Sequence, residues 1–399
     1  MKKQSTLSAL IGVAALLAGG TSAQAAPLVT VADTVDVFFN GLVAGRFQTN
    51  VFNSPNTEDD FLFILGPGVE MNVGRNSMAN LRVMFREDFY FYNRFDSLNT
   101  QRANLYIDGS YANGPLSTEA GFSYVQTQQN TQNTLIPGNL ATQANLVKRD
   151  LYNAYANGQY DFSQKYWMAG GFAWNRVEYT NNATFGDAYS NYDSYSVPVD
   201  FFYRVTPKWS IGPGFRYRYT DTQGTSTQPA RHYSDYFFNL ALTGEVLPKL
   251  NAKLNIGYQL RDGSGVSNDG RFAMDSTFSY NYSEKLTLLL DIGKDFGVGG
   301  QGTSIDEIGV GVGARYAITP YVSAQADFDY YNTEYQNQTG AGTNAGREDN
   351  TYIAGASVTW TPDPIISLSL GYSYFKNDSN RAGLTYDNNI VNLQAVIRY

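Results

Sequence analysis

Strand-length segments in which every second residue is apolar recur along this chain from about residue 37 to its end, and no other feature restricts the fold as much. The last nine residues show the pattern. Counting back from Tyr399, Ile397, Ala395, Leu393 and Val391 are apolar or small, and the residues between them are mostly polar. A period of two is that of a β-strand with one face toward an apolar phase and the other toward water. One such strand fits a soluble sandwich equally well; a long series with unequal connections does not.

Eighteen candidates follow one another. They are Val37–Val51, Phe61–Val73, Leu81–Tyr92, Arg102–Tyr111, Leu116–Gln126, Leu151–Tyr160, Tyr166–Tyr179, Tyr195–Val205 and Trp209–Thr220. The second half comprises Asp235–Leu247, Leu250–Arg261, Phe272–Tyr282, Leu286–Phe296, Glu307–Ile318, Tyr321–Tyr331, Thr351–Trp360, Ile366–Phe375 and Ile390–Tyr399. Short connections such as Thr206-Pro207-Lys208 and Leu247-Pro248-Lys249 alternate with long polar ones such as 127–148, 180–192, 262–271 and 332–349. Proline suits the turns because it presets the backbone and cannot donate to a ladder. The alternation predicts an all-β, antiparallel up-and-down transmembrane barrel of about eighteen strands, with short periplasmic turns and long extracellular loops.

The remaining composition agrees. Tyr (31), Phe (24) and Gly (38) are abundant while only 16% of residues are charged, as a wall apolar on one side requires. Aromatic residues at strand ends, such as Phe89, Phe91, Trp209, Tyr280 and Tyr372, fit interfacial girdles. The formal charge of −8 argues against nucleic acid, which needs a basic face. With no cysteine there is no disulfide framework, and stability must come from strand pairing and closure. Residues 1–25 read as a signal peptide: Lys2 and Lys3, an apolar run from Leu7 to Ala18, and Ala23-Gln24-Ala25 before the expected cleavage. That run is too short to span a bilayer as a helix. Residues 26–36 then form a short periplasmic segment and 37–399 the barrel. Export to the outer membrane of a Gram-negative-type bacterium implies membrane lipid and the barrel-assembly machinery as partners.

Catalysis finds little support. The single histidine, His232, reads as a solvated loop residue with no nucleophile motif beside it, and no metal-ligand spacing appears. Gly297-Val298-Gly299-Gly300-Gln301-Gly302 matches a dinucleotide fingerprint literally, but a strand pattern follows it where a helix N-terminus must hold the pyrophosphate. It reads as a flexible loop. We therefore expect neither enzyme nor cofactor.

Strand parity points Arg46, Arg82, Arg86, Arg102, Arg204, Arg216 and Arg218 into the lumen from the first nine strands. It points Asp275, Asp291, Asp295, Glu307, Asp327 and Asp329 inward from the twelfth to the fifteenth. Such segregation would set a transverse field across a pore; the plainer alternative is pairing between strands. Glu87 falls on the otherwise apolar face of Leu81, Val83, Phe85, Phe89 and Phe91, which a bulge, a register difference or a subunit contact would explain. The loop Thr127–Lys148 either folds into the pore or lies on the surface.

The chain's end, Val391, Leu393, Ala395, Ile397 and Tyr399, resembles the closing strand of bacterial outer-membrane barrels. Arg46, Asn50-Val51-Phe52, Asp59-Asp60 and Leu65-Gly66-Pro67-Gly68-Val69 resemble the opening of the putative beta-barrel porin 2 family. That resemblance implies an outer-membrane barrel of about this size, and some members are associated with exopolysaccharide secretion. It implies no catalytic residues. The expected function is passive diffusion of small hydrophilic solutes. The alternatives are an exit barrel for exopolysaccharide and a structural or adhesive barrel with a plugged lumen.

Overall fold

The computed structural model describes residues 27–31, 34–75, 77–128, 146–226, 228–264, 266–336 and 346–399. The signal segment and most of the loop Thr127–Lys148 lie outside the described residues. Twenty strands follow in order: β1 (Val29–Val31), β2 (Val35–Gln48), β3 (Asp60–Gly66), β4 (Gly68–Val73), β5 (Ala79–Tyr92), β6 (Thr100–Asn113), β7 (Leu116–Gln128), β8 (Lys148–Asp161), β9 (Tyr166–Tyr179) and β10 (Tyr192–Arg204). Then come β11 (Trp209–Thr222), β12 (Arg231–Leu247), β13 (Leu250–Gly263), β14 (Val266–Asn281), β15 (Leu286–Val298), β16 (Ser304–Thr319), β17 (Val322–Tyr335), β18 (Glu348–Asp363), β19 (Ile366–Ser379) and β20 (Tyr386–Arg398).

These make a closed antiparallel barrel of eighteen strands. β3 and β4 are two halves of one barrel strand, both pairing with β2 and β5. They part at Pro67, which has no N–H to give the ladder but still accepts the Glu87 amide through its carbonyl at 3.1 Å. β1 pairs only with the start of β2 and lies outside the eighteen. Closure is made by β20 on β2, from Asn40 opposite Arg398 to Gln48 opposite Ile390. Phe39 and Tyr399 extend that seam by exchanging backbone hydrogen bonds. Apart from a gap between β14 and β15 at the loop end, where pairing stops at Met274 opposite Lys294, the closed sheet leaves no edge.

Directly opposed residues share a face, so the registers carry parity around the barrel. On the outside stand Phe39, Phe47, Phe61, Phe85, Leu240 and Leu393, all exposed. A belt of that kind is stable only against an apolar phase. On the inside, Asn40, Gln48, Asp235, Gln259 and Arg261 are buried.

Two sequence expectations need correction. The segment 262–271 is no long loop: β13 and β14 continue as a tight hairpin to Gly263 opposite Val266. Above the apolar band a strand has no reason to alternate, so its polar end reads like a turn. The alternative of a bulge or altered register at Glu87 also fails. The register runs unbroken from Leu65 opposite Phe89 to Gly68 opposite Arg86, and Glu87 stays on the outer face.

Candidate functional site

Each lumen candidate lies on an inward position of its strand: Arg82 and Arg86 on β5, Arg102 on β6, Arg204 on β10, Arg216 and Arg218 on β11, Asp275 on β14, Asp291 and Asp295 on β15, Glu307 on β16, and Asp327 and Asp329 on β17. Arg46 on β2 shares this face, opposite Asn392. The five C-terminal residues Val391, Leu393, Ala395, Ile397 and Tyr399 take the outward positions, and Leu393 is 60% exposed.

The arginines are largely consumed by pairing. Arg82 lies 3.2 Å from Glu70, which also takes Arg398 at 2.9 Å. Arg86 bonds Asp88 through Nε at 2.7 Å and Nη2 at 3.1 Å. Arg204 pairs with Asp161. Arg216 and Arg218 both reach Asp295 at 2.9 Å; Arg218 also pairs with Asp235, which in turn takes Arg261 at 2.6 Å. Arg46 and Arg102 are the exceptions: Arg46 donates to Asn392 at 3.4 Å, and Arg102 stacks 3.8 Å from the centre of the Tyr90 ring and donates to Gln128 at 2.5 Å, neither with an ion pair to a carboxylate among the described residues.

The acidic side is different. Asp291 accepts the Thr277 hydroxyl at 2.8 Å and Glu307 that of Thr333 at 3.2 Å. Asp329 occupies the space a Cβ on Gly311 would fill, and Asp327 Oδ2 lies 2.7 Å from such an atom on Gly355. Gly311 stands opposite both Asp291 and Asp329, so the glycine makes room for carboxylates to lie flat on the wall. Among the described residues, no cation lies within ion-pair distance of Asp291, Asp327 or Asp329.

The two ends of the lumen differ as well. Near the short turns the inward-facing Lys253 and Thr277 are exposed, so water reaches the inner wall there. Near the long loops the inward residues Gln48, Tyr233, Gln259 and Arg261 are 0% exposed. Part of the cover is apolar. Val51 and Phe52, from the segment after β2, pack with Leu62, Ile64, Tyr90, Tyr92, Leu98 and Leu146 on the inner face. Across the mouth, Val147, Val177, Tyr179, Ala188 and Tyr189 form a second cluster. The rest is the segment joining β15 and β16. Its Gly300 carbonyl accepts the Ser190 amide at 2.9 Å and its Gly302 carbonyl accepts the Tyr233 hydroxyl at 2.8 Å.

Sequence parity does not show these mouth contacts. Tyr233, Arg261 and the glycine run look like ordinary strand end and loop, and only the count of glycines between Gly297 and Gly302 marks the place. His232 is no loop residue but the second residue of β12, outward and exposed.

A search of curated proteins finds no match. Solved structures of similar shape include Pseudomonas aeruginosa OpdK with vanillate (11% identity, 91% of this chain and 99% of that one, TM-score 0.46). The unliganded ferric citrate transporter FecA is another (11% identity, 90% of this chain, TM-score 0.45), and this chain spans 61% of its length. A third is a bacterial polysaccharide outer membrane secretin (9% identity, 93% of this chain and 100% of that one, TM-score 0.37). The family model described as putative beta-barrel porin 2 matches residues 41–399. With that match across nearly the whole barrel, the chain belongs to the putative beta-barrel porin 2 family and to the β-barrels of bacterial outer membranes.

Proposed function

We propose that this barrel is a channel for passive passage of small hydrophilic solutes across the outer membrane. The observation that carries the reading is the inner wall. It carries polar and charged side chains from β2 round to β20, with apolar clusters gathered toward the mouth, and is wetted from the periplasmic end, as the exposure of Lys253 and Thr277 requires. Eighteen strands leave an interior wider than side chains alone can fill. Nothing in the reading calls for a catalytic step, a cofactor or a signal other than the expected leader.

Ion pairs engage Arg82, Arg86, Arg204, Arg216 and Arg218, while Asp291, Asp327 and Asp329 face the lumen with no ion-pair partner among the described residues. An acidic ring or wall favours cations in a pore, so the channel is cation-preferring. The closed mouth supports a second reading, an exit barrel for exopolysaccharide that opens only with its secretion partners. Liposome swelling separates them. Purified barrel should admit small sugars and exclude larger ones, with a sharp size limit. Vesicles that stay impermeable to every sugar, for the intact chain and for variants with the mouth opened, would contradict the diffusion channel and leave the exit barrel.

A further inference from the structure

We propose that the loop end of the β15–β16 hairpin, residues 294–306, is a lid that shuts the extracellular mouth at rest and swings back to the wall to open it. The inference rests on the channel reading and adds its regulation.

The first observation is a broken seam. β14 and β15 pair only from Met274 opposite Lys294 to Asn281 opposite Thr287, although β14 begins at Val266 and β15 continues to Val298. β15 and β16 stay paired to the end, through Val298 opposite Ser304. The hairpin therefore leaves β14 above Lys294 while β16 remains hinged to β17, paired up to Ile305 opposite Tyr335.

The second observation is where it goes. Asp295 meets Arg216 and Arg218 of β11, four strands away along the wall. At about 4.8 Å per strand that arc is roughly 19 Å, more than an arginine and an aspartate span, so the hairpin leans into the lumen. Arg218 also donates to the Phe296 carbonyl at 2.7 Å, and Arg261 to the Gly297 carbonyl at 2.8 Å. At the tip, Gly302 has φ +73°, a backbone that favours glycine. A Cβ placed there would stand 3.2 Å from Thr222 Oγ1 and 3.2 Å from Ser190 Cβ. The glycine run noted in the sequence thus lets the backbone approach the opposite rim and present its carbonyls to Ser190 and Tyr233.

The third observation is the kind of bond that holds the lid down. Residues 294–306 belong to none of the apolar clusters among the described residues. Their buried apolar side chains are Phe296, which lies under the Arg261 and Arg271 guanidinium groups, and Ile305; the other bonds that hold them are ion pairs and hydrogen bonds. An element with few apolar contacts and a free edge can open locally without unfolding the barrel.

The chain has no cysteine, so one engineered pair is unique. In Ser190→Cys with Gly302→Cys a small shift brings the two Cβ atoms into disulfide range. The full barrel is studied in planar bilayers, together with a variant lacking residues 299–303. With a closed state this favoured, the deletion raises mean conductance about tenfold or more. The oxidised cysteine pair stays shut, and reduction restores the wild-type value. Conductance that ignores a disulfide verified by mass, or a deletion variant that conducts like the wild type, overturns the lid while leaving the channel. Silence of the wild type, the reduced pair and the deletion variant together overturns both.

Discussion

Charge is the residue-scale story, and its effect depends on which face carries it. Glu87 sits on the lipid face of β5 beside Pro67, with no ion-pair partner among the described residues. A carboxylate facing hydrocarbon is costly, though less so than a cation. Glu87→Leu should stabilise the barrel by about 1 kcal/mol, read as a higher urea midpoint for unfolding in lipid vesicles. A loss of stability on that change would show instead that a second subunit uses the carboxylate. Arg218 lies inside, between Asp235 and Asp295. Removing one member of a buried ion network strands the others, so Arg218→Gln should cost about 3 kcal/mol. Unfolding of the variant alongside Asp295→Asn checks this, and the double variant should cost less than the sum because the two share one network.

For single elements, legibility followed the apolar band. β9 keeps the bounds Tyr166–Tyr179 that the sequence marks, though its pattern leaves the outward face open, and many strands extend further toward the loop end than the sequence marks. There, as in β17 beyond Tyr331 or β12 before Asp235, strand pairing continues where no hydrocarbon enforces alternation. The sequence therefore marks the membrane-facing part of each strand rather than its full length. The closing strand β20 carries the clearest pattern. Leu393→Arg puts a cation on its lipid face, and near the bilayer midplane this should cost about 2–4 kcal/mol. Slower or incomplete barrel closure, seen as loss of the compact heat-sensitive form on gels, is the readout; Gln394→Arg on the inner face should assemble normally.

At the scale of the whole molecule, parity shows which way the side chains of most strands face, leaving Tyr166–Tyr179 open, but not which side chains meet across the lumen. Arg216 and Arg218 look like part of a basic wall until β15 leans over and offers Asp295. The two apolar clusters at the mouth are equally hidden, because Phe52 and Leu146 lie in connections where apolar residues carry no period, and Val51, which the sequence places at the end of the first strand, lies beyond the end of β2 at Gln48. Asp291, Asp327 and Asp329 are left facing the lumen with no ion-pair partner among the described residues. Under a potassium chloride gradient the reversal potential should therefore have the sign of a cation-preferring pore, and Asp327→Asn with Asp329→Asn should move it toward zero. An anion-preferring wild type would contradict that assignment.

All of this depends on a wall whose alternate residues face lipid and lumen, and thiol labelling tests that wall most directly. Single cysteines at positions 391 to 396 of β20, in a chain that has none of its own, are reconstituted in vesicles. The account predicts strict alternation. Positions 391, 393 and 395 resist water-soluble thiol reagents and, once labelled in detergent, are quenched from the lipid phase; positions 392, 394 and 396 show the reverse. Uniform labelling along the segment, or lipid quenching with no period of two, would contradict it.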